Sequence, residues 1–513
     1  MSVQMFRRSL PESLRHDARD ARLPARPAAG FRNMFNLHEA DEPERWRGEG
    51  CASETERMLA AVAQRMMGAR PSEAPSPFPA GYTYLAQFVA HDMQFSTEEA
   101  EYPPGSVPDV ALRRRRLMLE TIYGEGPERE PGLYQAGDDA FARFRLRYGA
   151  FGPGVSPGQR TLARMGGASG QTLCAADIRN DENPVVAQVA GAFIRLHNVA
   201  MRRLTDYAEP EARFEAARRV TRAVYRGLVF GDLLPRLLRP DVAAAYAGGL
   251  RLDSPALETD DMPVEFSHAA FRTGHALVRA DYAIGPAVNG GMAINVRSMI
   301  RHTTRRDPDA FAEGRAWPLD WSRFFGPSAQ GAQPFGPHVN VFLAEAPGLL
   351  DDDYPRKRGA HLILRDLVRG MDAGLLNVAA LGAAIAPGFG GTPGAKEWLA
   401  FDAAARGKAM LDWIDGETTL KPYLANLCSD PPLYLFLMVE AAAPAAVGGG
   451  DRARYGVMGG AIVAEPLHAA RDATLRDVEE VSGLDNDIAK VFGDDGGSPR
   501  PAEMSQLLAR LTR

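Results

Sequence analysis

Tyr84-Leu-Ala-Gln87-Phe-Val-Ala-His91-Asp92-Met-Gln-Phe95 is an apolar, helix-compatible stretch with a Gln, a His and an Asp in its interior. Helical spacing puts Gln87 and His91 at i and i+4 on one face, while Asp92 points about 100° away. One face is therefore suited to line a pocket and the other to bind a second group. An isolated histidine on such a helix is ordinarily a hydrogen-bonded core residue. Its meaning depends on what the rest of the chain brings to it.

On the N-terminal side, residues 1 to 50 are rich in Arg, Pro and Glu, with short apolar patches at Phe31, Met34 and Phe35, and read as an arm lying on the body. Met58, Leu59, Val62 and Met66 recur at helical spacing and predict a helix over Ser53 to Met67. The Pro/Ser/Gly run from Pro71 to Gly81 separates it from the opening stretch. The expected division is an arm and helix over 1–80 and one catalytic domain over 81–513.

Beyond a loop with Pro103, Pro104 and Gly105 comes Arg113-Arg-Arg-Arg116, followed by Tyr123-Gly124. Four consecutive arginines ordinarily form a solvated face. Residues 125 to 172 show no sustained period and read as an irregular connection. Ala176-Asp177-Ile-Arg179-Asn-Asp-Glu182-Asn183-Pro184 then precedes apolar residues at spacings of 3 and 4. Asn183 suits an N-cap and Pro184 the first turn, so Arg179 and Glu182 sit at the entry to a long helix.

A further helical pattern through Phe266, Phe271, Gly274, Leu277 and Val278 carries Arg272 and His275. Arg279 to Pro355 reads as connections and short helices, with aromatic anchors in Trp317-Pro-Leu-Asp320-Trp321-Ser-Arg-Phe324-Phe325. The next helix, from His361, turns residues 362, 364, 367 and 368 to a core and carries Arg365, Asp366 and Arg369; by itself it reads as a solvated arginine face. Pro432 to Ala442 is a strongly apolar helix, and a last pattern, Gly459 to Ala470, is expected to kink or break at Pro466.

With 45% hydrophobic residues among 513, the chain can bury a large core. Lys357, Lys396, Lys408, Lys421 and Lys490 are its only lysines, so its arginine number reflects a general Lys-to-Arg bias rather than a function. A net charge of -6 argues against general affinity for nucleic acid. Cys51, Cys174 and Cys428 are too few and scattered for a disulfide framework or a metal knot. Met1 to Leu23 has no signal-peptide core, and no segment approaches the ~18 apolar residues of a membrane span. The expected setting is the bacterial cytoplasm, the alternative being export without an N-terminal mark. Oligomeric state is unreadable.

Four separated pieces stand in a definite order: Ala-Gln-Phe-x-x-His-Asp at 86–92, Asp-x-Arg-x-x-Glu-x-Pro at 177–184, Phe-Arg-x-Gly-His at 271–275 and Arg-Asp-x-x-Arg-Gly at 365–370. Together they resemble the motifs of animal-type haem peroxidases in the peroxidase-cyclooxygenase superfamily, especially its bacterial members, over roughly residues 80 to 510. The resemblance implies a mainly α, large helical fold with long irregular loops around one haem b. It implies His275 as the iron ligand and His91 with Arg179 on the distal side, with Gln87 holding a water or small anion above the iron. A neutral imidazole can take a proton from hydrogen peroxide and return it to the departing oxygen. A guanidinium can stabilise the charge on that oxygen and disfavour a protonated His91. Arg272 and Arg369 would pair with the haem propionates.

The departures from the family pattern are as informative. Asp366 stands where relatives usually carry Asn, which implies more imidazolate character in His275 and a lower reduction potential. Relatives with two haem esters use an Asp just before the distal His and a Glu three residues after the distal Arg. Ala90 rules out the first, and Glu182 leaves one ester open. Asn183 stands where some mammalian members carry a sulfonium-forming Met.

Relatives also bind calcium through the residue equivalent to Asp92 and oxygen ligands on the loop leading into Tyr123-Gly124. Here Met118 replaces a carboxylate, and Asp92 with Glu120 cannot supply the ~6 to 8 oxygens calcium takes. Arg114 or Arg116 is expected to pair with Asp92 instead.

The function implied is reduction of hydrogen peroxide with oxidation of a small organic donor or a halide. One alternative is a fatty-acid dioxygenase of the same superfamily, but Arg272 stands where those enzymes place a radical-forming Tyr. The other is a haem-binding protein without turnover, against which the intact His91 and Arg179 speak. A nucleic-acid role for Arg113 to Arg116 lacks interleaved aromatics.

Overall fold

The computed structural model describes residues 30–35, 45–46, 48, 52–67, 75–96, 111–149, 151, 155, 159–165, 172–254, 257–286, 288–303, 317–344, 361–477, 483–493 and 500–512. Met1 to Leu23, Cys51, the Pro103-Pro104-Gly105 loop and Pro355 lie outside them. The architecture is helical, as expected. Its principal helices are α1 (Ala52–Met67), α2 (Gly81–Met93), α3 (Pro184–Arg203), α4 (Pro210–Leu228), α5 (Leu362–Asp372), α6 (Leu433–Ala442) and α7 (Val457–Asp477). Extended pairing is confined to short two-stranded contacts: Phe31–Arg32 runs parallel to Met262–Pro263, Ala163–Met165 antiparallel to Thr172–Cys174, and Asp281–Tyr282 antiparallel to Ile294–Asn295. One hydrophobic cluster runs from Met34 to Leu511. Among the described residues no helix is long and apolar enough to cross a membrane.

The opening stretch lies on α2, which packs against α3, while α3 packs against α4. The contact is aromatic. Phe88 stacks on Phe193 of α3 with ring centroids 5.2 Å apart, and Tyr225 of α4 meets both edge-on. Phe88 and Phe193 are fully buried, and truncating such a ring to Ala costs roughly 3–5 kcal/mol. This contact fixes the rotation of α2, and with it the direction of His91 one turn on.

The first amide groups of α2 need partners outside the helix. Ala80 N–H donates to Gln330 O and Gly81 N–H to Phe324 O, both at 2.9 Å. A Cβ on residue 81 would lie 2.4 Å from Phe324 O, so this approach requires glycine. At the start of α3, the Asn183 side chain accepts from Val185 and Val186 N–H at 3.0 and 2.9 Å, with Pro184 in the first turn. The cap reading therefore holds.

Two local expectations are corrected. The pattern through Phe266 to Val278 is not one helix but Val264–His268 followed by a 3-10 segment, Ala270–Leu277, with the break at Ala269. The Ala270 carbonyl there accepts from the Thr273 hydroxyl at 2.6 Å and the Tyr455 hydroxyl at 2.8 Å, which competes with regular helical pairing. Conversely, of the kink or break expected at Pro466 the break does not occur, and α7 continues through it. An interior proline costs a helix about 3 kcal/mol, and burial of Ile462, Val463, Ala464, Leu467 and Ala470 around it outweighs that.

Candidate active site

His91, Gln87 and Ala90 from α2, Arg179, Glu182 and Asn183 from the entry to α3, Arg272 and His275 from the 3-10 segment, and Arg365 and Arg369 from α5 all line one cavity of about 350 Å³. Residues as far apart in the chain as Gln87 and Arg369 thus meet. The remaining lining is largely apolar, including Phe271, Leu277, Val296, Met299, Ile300 and Leu343. A large, mostly apolar cavity with a histidine and convergent polar groups fits a haem.

The two histidines are prepared in the same way up to a point. His91 is buried and its Nδ1 lies 2.9 Å from Asn180 Oδ1. The Asn180 amide cannot turn around, because its Nδ2 donates to Thr121 O at 3.1 Å and Thr121 Oγ1 at 2.9 Å. Nδ1 of His91 therefore carries the hydrogen, and Nε2 keeps its lone pair. His275 Nδ1 donates to Asp366 Oδ2 at 2.8 Å, which again leaves Nε2 bare.

The partners differ in charge. Burial above all, then the Arg179 guanidinium, pushes His91 down to about 3, so it is a neutral base across the physiological range. Asp366 is fully buried, yet it is held below the usual carboxylate range: burial pushes it up, and His275, Arg272 and Arg369 together outweigh that. Arg272 Nη1 stands 3.6 Å from Asp366 Oδ1, while its Nε donates to Ser267 O at 3.0 Å. An imidazole bonded to a full anion is the better electron donor to a metal. The geometry therefore favours His275 as the ligand and His91 as the base.

Arg179 is held on several sides. Its Nε and Nη2 donate to the two carboxylate oxygens of Asp177 at 2.9 and 2.7 Å, and Nη2 also meets the carbonyls of His91 at 3.0 Å and Gln94 at 2.7 Å. Burial raises Asp177, but Arg179 and Arg113 drive it well below the ordinary range. Gln87 is tied to the same corner: its Nε2 donates to Glu182 Oε2 at 2.9 Å and its Oε1 accepts from Asn183 at 3.1 Å.

The arginine run is not a solvated face. Arg115 is fully buried and donates to the carbonyls of Asp261, Leu257 and Thr259, and Arg116 is buried against Asp260 at 2.7 Å. Arg114 is exposed, 3.7 Å from Asp260. The expectation that Arg114 or Arg116 pairs with Asp92 is corrected: both turn to Asp260, Asp92 accepts from the backbone N–H groups of Leu119 and Thr121, and Arg113 is the arginine of this corner. The helix of Arg365 and Arg369 is likewise not a purely solvated face, since both line the cavity. The sequence reading also missed Asn180. Its signal was available: it follows Arg179 directly, in the one motif already assigned to the distal side.

The family model described as animal haem peroxidase matches residues 119–375. That span holds Arg179, Glu182, Arg272, His275, Asp366 and Arg369 and stops short of Gln87, His91 and Asp92. Human thyroid peroxidase is 30% identical over 176 residues, and the dog protein 27% over 175; the match covers 32% of this chain in each case. The matched part spans less than a fifth of those relatives, 19% and 18% of their length. Among solved structures, peroxidase A from Dictyostelium discoideum superposes with a TM-score of 0.55 at 13% identity, covering 95% of this chain and 93% of that one. A fatty acid alpha-dioxygenase from Arabidopsis thaliana gives 0.51 at 16%, covering 98% and 82%. At such identities these two establish the fold alone.

Proposed function

The chain belongs to the animal haem peroxidase family, and from that premise we propose that it is a haem-dependent peroxidase, reducing hydrogen peroxide while oxidising a small organic donor or a halide. The observation that carries this reading is the pair of imidazoles at one cavity, each with Nδ1 pinned, one against a neutral amide and one against a carboxylate. Haem b, when bound, supplies the iron at which peroxide is reduced and from which the donor is oxidised. His275 Nε2 would hold that iron, with Asp366 strengthening its donation. His91 Nε2 takes a proton from one peroxide oxygen and delivers it to the other, for which a neutral, pinned base is suited. Arg179 keeps His91 neutral and places positive charge at the cavity wall. Gln87, one turn before His91, holds a water or anion at the same wall.

Arg369 and Arg365 would meet the propionates. Arg272 is drawn to Asp366, so its main part is on the His275 side. Glu182 lines the cavity and Ala90 offers no carboxyl, so we place at most one ester, through Glu182. Acid-butanone extraction after peroxide turnover should leave haem on the protein, and complete extraction refutes the ester. The cytoplasmic setting, a part in oxidative-stress defence and a bacterial source belong to the same proposal.

The dioxygenase alternative has support from the fold neighbours. Against it, the residue three before His275 is Arg272, and the cavity-lining Tyr455 hydroxyl is engaged by Ala270 O and Thr273. The deciding experiment is the spectrum of the haem-loaded protein before and after peroxide. A ferric Soret band that changes rapidly with peroxide, and is lost in His275→Ala, is expected. Oxygen uptake with a fatty acid and no peroxide response would reverse the assignment.

A further inference from the structure

The C-terminal carbonyls of α2 have no partners within the helix and carry its negative end. Arg179 takes those of His91 and Gln94. A second guanidinium, Arg113, also donates through Nη1 to the His91 carbonyl. The Arg113 side chain is 5% exposed, and it stands 3.3 Å from Asp177 Oδ2 and 3.5 Å from Glu120 Oε2. Both guanidinium groups lie over the ring of Phe95, Arg113 at 5.2 Å and Arg179 at 5.0 Å from its centroid. One buried carboxylate, one carbonyl and one ring are therefore shared by the two arginines.

The same corner does not fit the calcium that the family resemblance implies. Asp92 is buried, and its oxygens accept backbone N–H groups from Leu119 at 3.0 Å and Thr121 at 3.4 Å. A calcium loop turns carbonyl oxygens inward, whereas this loop turns amide hydrogens inward. Leu119 adopts φ 55 in doing so, a left-handed conformation unusual for leucine. No group of three His, Cys, Asp or Glu that could hold a metal occurs among the described residues.

We propose that Arg113 is the built-in cation of the distal wall: its guanidinium does the work of a bound metal ion, joining the end of α2 to Asp177 and Glu120 and so positioning His91 and Arg179. Arg113 is a positioning residue, since it acts through the His91 backbone and the shared Asp177. A guanidinium with planar, diverging donors can serve a carbonyl, two carboxylates and a ring at once, which an ammonium cannot.

The proposal rests on the peroxidase reading only for the roles of His91 and Arg179; the metal test is independent of it. Elemental analysis of the purified full chain should find no stoichiometric calcium, and about 10 mM calcium, enough to fill even weak modules, or a chelator should leave its Tm unchanged. One tightly held calcium, or a Tm that follows calcium, overturns the proposal whatever the enzyme does.

Cyanide binding to the ferric haem-loaded protein then reads the distal wall, because hydrogen cyanide must give up its proton as the anion binds. In Arg113→Ala, with haem content and Soret position intact, cyanide affinity should fall about tenfold, at the low end of outer-shell effects. Arg113→Lys should lie between this variant and the parent. Unchanged affinity in Arg113→Ala overturns the positioning role. If Arg113→Ala does not fold, parental affinity in Arg113→Lys overturns it as well.

Discussion

The two walls of the cavity each hold one histidine by Nδ1 and differ mainly in what holds it. On the α2 side the partner is the neutral Asn180 amide, and two arginines surround the base. On the α5 side it is Asp366, which stays ionised although fully buried. The same imidazole is thereby suited to two tasks: a base that rests neutral, and, in the proposed function, a ligand with a full anion behind it. The difference lies in one atom of the partner, NH2 against O⁻, and in the surrounding charge. It follows that exchanging the partners should blur the two roles.

The larger effect is expected on the α2 side. In Asn180→Asp, the carboxylate would still accept from His91 Nδ1 but could not donate to Thr121 O and Oγ1. Leaving a buried acceptor facing acceptors costs roughly 1–3 kcal/mol, so the Tm should fall.

The charge would also stabilise protonated His91. At present His91 is pushed down to about 3, so the acid limb of the peroxide reaction should lie far below the ordinary histidine value near 6.5. Below that ordinary value the unfolded chain takes up a proton that folded His91 refuses, so His91 lowers stability as pH falls from about 6.5 to 3. Asn180→Asp should move the kinetic limb upward and flatten this acid loss. Stopped-flow rates against pH would measure the first and melting curves the second. An unmoved limb in a folded variant would show that the amide's neutrality is not what keeps the base uncharged.

Which parts of this contrast were legible in sequence follows from how local their causes are. Asn183-Pro184 is readable because capping is decided within four residues, and Gln87 with His91 because helical spacing is fixed. The apolar helix over 433–442 is readable for a different local reason, since nearly every one of its side chains is apolar and it is buried on all sides. The destinations of Arg113 to Arg116 are not. Four identical neighbours go to α2, solvent, the carbonyls of 257–261 and Asp260, and only the packed chain tells them apart. No element is assigned from sequence to 204–263, although Phe214, Ala217, Val220, Val224 and Leu228 recur at spacings of 3 and 4 on α4. Pro466 misleads in the opposite sense, because a local penalty is overridden by burial that no local rule contains.

The smaller effect is expected from Asp366→Asn. The asparagine would still accept from His275 Nδ1, so His275 should keep both its orientation and the iron, and haem content should be unchanged. What is lost is the full negative charge behind the imidazole, and with it the preference for ferric over ferrous iron. The Fe(III)/Fe(II) potential should therefore rise, by about 59 mV for each tenfold loss of that preference in a one-electron couple.

Part of the charge is already spent on Arg272, 3.6 Å away, and on Arg369, which limits the rise to the order of one such step. The asparagine must turn its NH2 toward Arg272, and two donors facing each other add a local cost. Arg272→Gln alone separates the terms: it removes a cation that competes with His275 for the carboxylate, so the potential should move down, opposite to Asp366→Asn. Spectroelectrochemical titration reads both. If Asp366→Asn leaves the potential where it was, the charge of Asp366 does not reach the iron, and the two walls differ in their partners without differing in what those partners do.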